Sequence, residues 1–384
     1  MSAAKQSATP SSTDSGRFRP SSTVRRFRLG ERTLVFSERA QQLVELNATA
    51  DAIWTELLIQ KTPQMAKAAM AKLGLEPSAA ADFVDGQLGR WLTLGYWEPW
   101  DTPAGEGGAP TLLPLLIGDV AVDIACPAGW AADRIAHVFG QFRRAAPGGG
   151  LRMTIVGWDG GFHIFKDTDY VGNACADGLV PRLKALLTEM LIQAPCDGFH
   201  AHGALVARGG RHVFLAGQPG AGKTTLAMAL CGGGYDYLAD DIVQVGAAGL
   251  FQGVAFAPAV KEGAWPLLRA WFPDIDTWPI ETRMDGCKVR YPPTSAKGAA
   301  PAAPDLFLIL SRETGSIARS EVLDPVEALS ALLSEGYSVR SGISAEQLTA
   351  LADRFQTLAC RRLFYSDLDG AIQEIERLLS DPRP

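Results

Sequence analysis

Basic and apolar residues alternate from Thr23 to Phe36, a pattern that predicts a short hairpin or a pair of strands. Apolar residues then recur at helical spacing in three segments, and each segment has capping, proline or glycine signals at its ends. The three predicted helices are 47–58 with Asn47 as N-cap, one that begins at Thr62-Pro63 and stops at Gly74, and 78–94 with Gly95 as its stop.

The apolar residues of the first and third helices are spaced so that they face one core. The residues expected to be buried there are Ile53, Trp54, Leu57, Leu58, Phe83, Val84, Leu88, Trp91 and Leu92.

Residues 101–110 (DTPAGEGGAP) have no apolar periodicity and are rich in Gly and Pro, which is typical of a linker. Beyond them strands and helices alternate, which predicts an α/β domain. The predicted division is a disordered tail over 1–21, a small domain over 22–100, a linker over 101–110 and an α/β domain over 111–384. Its predicted strands are 153–158, 204–207, 211–216, 306–311 and 361–365, and its predicted helices are 180–193, 325–334, 345–357 and 368–379.

The formal net charge of the 384 residues is -6, so no overall positive field is available for nucleic acid. No apolar run is long enough for a signal peptide or a membrane helix, and the expected location is cytoplasmic, with no membrane partner. Six scattered cysteines include no C-x-x-C pair and are interpreted as reduced packing residues: Cys126, Cys175, Cys196, Cys231, Cys287 and Cys360.

A phosphate-binding loop is predicted between the strand 211–216 and a helix that Thr225 opens. The pattern G-x-x-x-x-G-K-[ST] is formed by Gly217, Gln218, Pro219, Gly220, Ala221, Gly222, Lys223 and Thr224. Glycines let backbone N–H groups surround a phosphate, and the helix N-terminus adds partial positive charge. Lys223 is expected to reach the terminal phosphates of ATP and Thr224 to bind Mg²⁺.

Two adjacent carboxylates, Asp240 and Asp241, stand between apolar residues just beyond this helix. Beside a triphosphate, one of them can bind the metal while the other accepts the proton of an attacking hydroxyl. The alternative is an ordinary turn or helix cap. The sequence does not divide the roles of base and metal ligand between them.

Three further polar residues are candidates for the same site. His200 and His202 have the spacing of one strand face, so they suit either a metal site or a single catalytic or structural histidine. Lys261 follows a proline-containing strand end and is predicted either to contact phosphate or to be an exposed lysine before a helix.

The ordered set His202-Gly203, the loop 217–225 and Leu238-Ala239-Asp240-Asp241 resembles the HPr serine kinase family, and more closely its HPr-kinase-related branch. The likeness spans about residues 111–379. It implies a phosphate-loop fold of the phosphoenolpyruvate-carboxykinase-like type with Mg-ATP as donor and a serine-type hydroxyl as acceptor. The resemblance implies that Lys223 binds the phosphates and that Thr224 and one aspartate bind Mg²⁺. The other aspartate would be the base, and His202 would assist near the acceptor.

One departure affects the substrate. The arginine- and glycine-rich signature that HPr kinases carry after the aspartates is absent here. The resemblance therefore does not extend to HPr itself as the acceptor, nor to the reverse phosphorolysis reaction.

The segments 46–54 (LNATADAIW) and 92–96 (LTLGY) resemble the PqqD-like family, winged-helix modules that bind leader segments of ribosomally made peptides. The resemblance covers about residues 22–99 and implies that a leader adds as a strand at a sheet edge, with the strand 33–36 and the third helix lining the groove. A winged helix can instead bind DNA, but Asp82 and Asp85 with Arg90 as the sole cation make the third helix a poor face for phosphates.

Together the two resemblances predict a kinase for a precursor peptide, with the leader captured by the N-terminal module. Two alternatives stay open: a kinase of a free small hydroxy compound, and a nucleotide-gated peptide-binding ATPase without phosphotransfer. Other peptide-maturation enzymes are candidate partners, and homo-oligomerisation is open.

Overall fold

The computed structural model describes residues 17–100, 109–158, 161–293, 300–336 and 343–380. The chain divides into two units, one of 1–114, 122–133 and 146–179 and the other of 115–121, 134–145 and 180–384. The first unit thus takes in segments beyond residue 110, whereas most of the predicted linker lies outside the described residues. The predicted domain boundaries stay a prediction.

The N-terminal part of the first unit contains three helices and short antiparallel strands. Its elements are β1 (Phe18–Pro20), β2 (Val24–Leu29), β3 (Arg32–Ser37), β4 (Gln42–Leu46), α1 (Ala48–Gln60), α2 (Pro63–Lys72), α3 (Pro77–Thr93) and β5 (Trp97–Pro99). Asn47 and Thr62 cap α1 and α2 as predicted, because their side chains accept the N–H groups of Ala50 and Met65. Residues 18–20, which the sequence places in a disordered tail, instead form β1, which pairs with β5.

Three tryptophans form the centre of this part of the core. The Trp54 ring packs edge-on against Trp91 and Trp97, with centroids 4.8 and 5.2 Å apart. The predictions of burial for Leu58 and Phe83 are wrong, since these side chains are 41% and 52% exposed. Each lies one position beyond the stripe that faces the core, as their buried neighbours Leu57 and Val84 show.

The strand order β2-β3-β4 places β3 at the centre of its sheet. Its backbone pairs with β2 on one side and β4 on the other, so the segment 33–36 has no free edge. The backbone of β3 therefore cannot pair with an added peptide strand, whereas a role for its side chains in lining the groove stays a prediction. Only β2 and β4 are outer strands of this sheet.

A second sheet follows, in the order β10-β9-β8-β7-β6. Strands β7 and β8 run parallel, whereas β8, β9 and β10 are successively antiparallel. The elements of this segment are β6 (Thr111–Ile117), β7 (Val120–Cys126), α4 (Trp130–Phe139), β8 (Leu151–Trp158), β9 (Gly161–Lys166) and β10 (Asp169–Cys175).

The second unit is built on a six-stranded sheet in the order β14-β12-β13-β20-β22-β21, in which β13, β20 and β22 are parallel. Small three-stranded sheets accompany it, in the orders β11-β15-β16 and β17-β19-β18. The strands are β11 (Gly198–Ala201), β12 (Ala204–Arg208), β13 (Arg211–Ala216), β14 (Asp236–Ala239), β15 (Val243–Gly246), β16 (Phe251–Gly253), β17 (Val260–Lys261), β18 (Ile280–Thr282), β19 (Lys288–Arg290), β20 (Leu306–Arg312), β21 (Arg319–Val322) and β22 (Ala359–Tyr365). The helices are α5 (Leu179–Gln193), α6 (Lys223–Gly232), α7 (Trp265–Leu268), α8 (Pro325–Ser334), α9 (Ala345–Thr357) and α10 (Leu368–Ser380).

Alternate residues of the central strand β20 serve two cores, one on each face of the sheet. Leu308 packs in a cluster with residues of α6 and α10, whereas Phe307 packs in another with residues of α8 and α9. A partly parallel sheet covered by helices on both faces is an α/β fold, which confirms that part of the predicted fold class. The winged-helix assignment of the N-terminal part stays a prediction.

Among the cysteines Cys126 and Cys360 are buried, but Cys175 is exposed, so its interpretation as a packing residue is wrong.

No helix of the described residues is both long and apolar enough to cross a membrane.

Candidate functional site

The predicted phosphate loop connects the buried strand β13 to helix α6. Gly217, Gly220 and Gly222 have φ angles of 141°, 88° and 96°, which side chains rarely adopt. Space also favours glycine, because a Cβ on Gly217 would lie 3.2 Å from the Leu310 carbonyl oxygen and one on Gly222 would lie 2.4 Å from the Tyr365 hydroxyl, which would have to shift. The strand, loop and helix thus have the arrangement that the motif requires.

Lys223, the first residue of α6, is buried within this loop at 7% exposure. Its ammonium donates to the Gly217 carbonyl at 2.5 Å and lies 3.5 Å from that of Gln218. Burial lowers the pKa of Lys223, while the charge of Glu335 acts in the opposite direction. The Lys223 ammonium thus lies at the turn of the loop with two backbone carbonyls as partners. A bound anion would give it a partner of full opposite charge in their place.

Thr224 connects the loop to the first aspartate. Its hydroxyl lies 3.0 and 2.9 Å from the two carboxylate oxygens of Asp240, which directly follows β14. Asp240 is 1% exposed, and burial together with the neighbouring charge of Asp241 raises its pKa to about 7. A hydroxyl and a carboxylate are the oxygen donors that Mg²⁺ prefers, so this pair fits the predicted metal.

Asp241 has a left-handed backbone, with φ 74°, and its side chain has a different partner from that of Asp240. One oxygen lies 2.8 Å from the ammonium of Lys184, and its backbone carbonyl lies 3.1 Å from Nδ1 of His202. Burial raises the pKa of Asp241, but the charge of Lys184 and its hydrogen bond outweigh burial, so that the net pKa lies below the ordinary value. The pKa values of Asp240 and Asp241 are therefore shifted in opposite directions although the residues are neighbours.

Lys184 is the main member of the site that the sequence analysis missed. It lies on α5, is 7% exposed and also donates to the Ala257 carbonyl at 3.2 Å. Its pKa is raised because the charge of Asp241, with smaller help from Tyr291 and Asp240, outweighs the effect of burial. The one available signal was a single lysine among apolar residues (LKALL), which a surface position explains equally well.

Two other contacts that the sequence did not indicate hold the site in place. The Tyr365 hydroxyl donates to the Ala221 carbonyl at 2.8 Å and so connects the loop to the end of β22. The backbone N–H of His202 donates to the Glu335 carbonyl at 2.9 Å. Burial lowers the pKa of His202, and the charge of Lys223 adds to this effect, so a neutral imidazole is favoured beside Asp241.

The remaining candidates lie nearby or elsewhere. Lys261 is exposed at the end of β17, and its charge is among those that lower the pKa of Lys223, so a contact with phosphate stays a prediction. His200 is buried on β11, opposite Gln244 of β15. The described residues include no group of three or more His, Cys, Asp or Glu side chains that could hold a metal, so a site with protein ligands alone at His200 and His202 gains no support.

No protein-family model and no curated protein matches the chain. Among solved structures, TbiB1 in complex with the TbiA(β) leader peptide is similar over 21% of this chain and 94% of that chain, at 16% identity and a TM-score of 0.20. The Hpr(Ser) kinase/phosphatase from Coxiella burnetii is similar over 47% of this chain and 87% of that chain, at 11% identity and a TM-score of 0.22. Scores this low carry no argument, so any assignment depends on the residues themselves.

Proposed function

We propose that the protein is a Mg-ATP-dependent kinase that phosphorylates a Ser- or Thr-type hydroxyl of a ribosomally synthesised precursor peptide, whose leader is captured by the N-terminal residues 22–100. The observation that carries the kinase is the bond between Thr224 and both oxygens of Asp240, with Asp241 free of that bond and held by Lys184. Two neighbouring carboxylates with different partners at a phosphate loop suit two different roles.

We assign those roles from the contacts. Asp240, which is bonded to the hydroxyl of Thr224 in the first turn of α6, is assigned with Thr224 as the Mg²⁺ ligand pair, and the bound cation would neutralise charge on the phosphates. The loop N–H groups, the α6 N-terminus and Lys223 hold the phosphates. Asp241, whose pKa is held below its usual range, is ionised at neutral pH and accepts a proton.

In the transfer step the acceptor oxygen forms a bond to the γ-phosphorus while the bond from that phosphorus to the β–γ bridging oxygen breaks. The hydroxyl proton passes to the Asp241 carboxylate, and ADP leaves with the bridging oxygen. A base with a low pKa suffices, because the loose transition state of phosphoryl transfer needs orientation of the nucleophile more than full deprotonation. His202 fixes the backbone of Asp241 through its carbonyl.

The peptide acceptor is supported by the N-terminal residues and not by the loop. Their sequence resembles leader-binding modules, and the sheet β2-β3-β4 has two outer strands to which an extended peptide can add. A kinase for a free small acceptor would not explain these outer strands, so we prefer the peptide kinase.

The test is intact mass spectrometry of candidate precursor peptides, from genes beside that of this protein, incubated with the full chain and Mg-ATP. A gain of about 80 Da for each phosphate is expected with the wild type and is expected to disappear in Lys223→Ala and Asp241→Asn. The matched control Asp236→Asn changes an exposed aspartate on β14 and is expected to retain the gain.

Two results contradict the proposal in different ways. ADP release on addition of peptide without a mass gain would indicate a nucleotide-gated ATPase. Neither ADP release nor a mass gain with peptides, but phosphorylation of a free hydroxy compound, would indicate a small-molecule kinase.

A further inference from the structure

A cavity of about 420 Å³ lies in the second unit, between the loop 315–318 and the first turns of α10. Its volume falls within the range of roughly 300–1,000 Å³ that is usual for small-molecule sites. The phosphate loop, Asp240 and Asp241 do not line it.

The topology places this cavity and the phosphate loop at the same edge of the six-stranded sheet. The parallel strands β13, β20 and β22 end at one edge of the sheet, β13 in the phosphate loop and the other two near the cavity. In open α/β sheets, ligands bind at the carboxyl ends of parallel strands. Tyr365 donates to Ala221 of the phosphate loop, and the next residue, Ser366, donates to the Ser316 carbonyl in the cavity wall, at 2.8 Å in each case.

The charge of the cavity wall disfavours a second phosphate. Asp367 and Glu374 face a single cation there, Arg377, and Arg377 is already bonded to Glu374 at 2.7 and 2.8 Å. The Asp367 carboxylate accepts the Gly370 N–H at 2.8 Å. Gln373, which is exposed, adds an amide that both donates and accepts. A neutral ligand with hydrogen-bonding edges suits this wall better than an anion does.

An apolar side chain completes the wall. Ile317 is 89% exposed, the highest value among the large hydrophobic side chains of the described residues. It stands next to Ala318, which packs on the core shared by α6 and α10. A flat ring placed against Ile317 would remove this surface from water.

We propose that this cavity binds the purine nucleoside part of the nucleoside triphosphate whose phosphates occupy the 217–224 loop. The inference rests on the proposed function, because it assumes that the loop binds a triphosphate. Ile317 covers one face of the base. The polar edge of the base faces the part of the cavity wall that contains Gln373 and Asp367.

The test compares two probes, Mg-ATP and inorganic triphosphate with Mg²⁺, by calorimetry on the full chain. The wild type is expected to bind ATP at least about tenfold more tightly than triphosphate, which corresponds to roughly 1.4 kcal/mol. Ile317→Asp, which adds charge against the base, is expected to reduce this ratio to within about threefold of unity and to leave the triphosphate affinity unchanged. Ile317→Ala is expected to give an intermediate ratio.

Val326→Asp is the matched control, because Val326 is 72% exposed and lies outside the cavity. Unchanged triphosphate affinity shows that each variant is folded around its loop. A wild type that binds both probes equally, or an Ile317→Asp variant that keeps the full preference for ATP, overturns the base site while leaving the phosphate site intact. A wild type that binds neither probe overturns the proposed function, and the base site with it.

Discussion

Burial of the Asp240 carboxylate, next to a second carboxylate, makes its ionisation costly, and its pKa rises from 3.8 to about 7. An acid with a raised folded pKa contributes stability that is fully present below the unfolded pKa and is lost as pH rises. For Asp240 this loss occurs between about pH 4 and pH 7. Without a bound cation, the wild type thus carries a buried charge above pH 7 that only Thr224 and neighbouring lysines offset.

Asp240→Asn removes that charge at nearly constant shape. In metal-free buffer the variant is expected to be more stable than the wild type at pH 8, by an amount on the order of a few kcal/mol. The difference is expected to shrink toward pH 4, as measured by urea unfolding across this range. Mg²⁺ should stabilise only the wild type. If the difference does not depend on pH, Asp240 does not titrate in this window.

Lys184 offers a second residue-level prediction, because its ammonium is the main counter-charge of Asp241. Lys184→Met leaves that carboxylate beside Asp240 without its main counter-charge, with only the smaller effects of His202 and Arg283 acting in the same direction. A fully buried pair broken in this way costs roughly 3–5 kcal/mol, but the Asp241 side chain is 39% exposed, so solvent screening reduces the loss of stability.

The proposed kinase activity is expected to fall at least about tenfold in kcat in Lys184→Met, with little change in KM for ATP, since the loop itself is untouched. Steady-state kinetics check this. Arg208→Met, which breaks the half-exposed pair of Arg208 and Glu376, is the control and should retain wild-type kcat. Equal losses in both variants would show that the effect of Lys184 is general destabilisation.

Elements whose signals are local could be predicted from the sequence. The helices 325–334 and 345–357 match the structure at both ends, because Asp324 and Ser344 cap their first turns and a proline or capping box follows. The strand, loop and helix at residues 211–232 are recognisable because the glycine spacing itself specifies the turn.

Elements and contacts that depend on distant partners could not be predicted. β1 has only three residues, and its partner strand β5 is distant in the sequence: the paired residues Arg19 and Glu98 are 79 positions apart. Lys184 is similarly separated from Asp241 by 57 positions, so no local pattern distinguishes it from a surface lysine. The sequence did not reveal that β3 is a central strand, because it did not reveal β4. The sequence of β4, QLVEL, folds with hardly any alternation of buried and exposed positions.

At the scale of the whole molecule, the proposed function places a leader-binding module and a kinase in one chain. Once the leader is bound, the encounter between the acceptor hydroxyl and the active site would be an intramolecular step. A flexible connection gives an effective concentration in the mM range for the acceptor segment. A core peptide that binds the kinase weakly is then modified at μM concentrations of precursor. The advantage lies in binding and not in chemistry, so it should appear in KM and leave kcat nearly unchanged.

The KM for a full precursor is accordingly expected to be about 10²- to 10⁴-fold lower than that for the same peptide without its leader, with kcat within a few-fold. Free leader should inhibit modification of the full precursor competitively and should have no effect on the leaderless peptide. Initial rates by quantitative mass spectrometry measure all three quantities. If free leader instead accelerates modification of the leaderless peptide, the N-terminal residues act as an allosteric switch, because a simple tether gives no benefit to an untethered substrate.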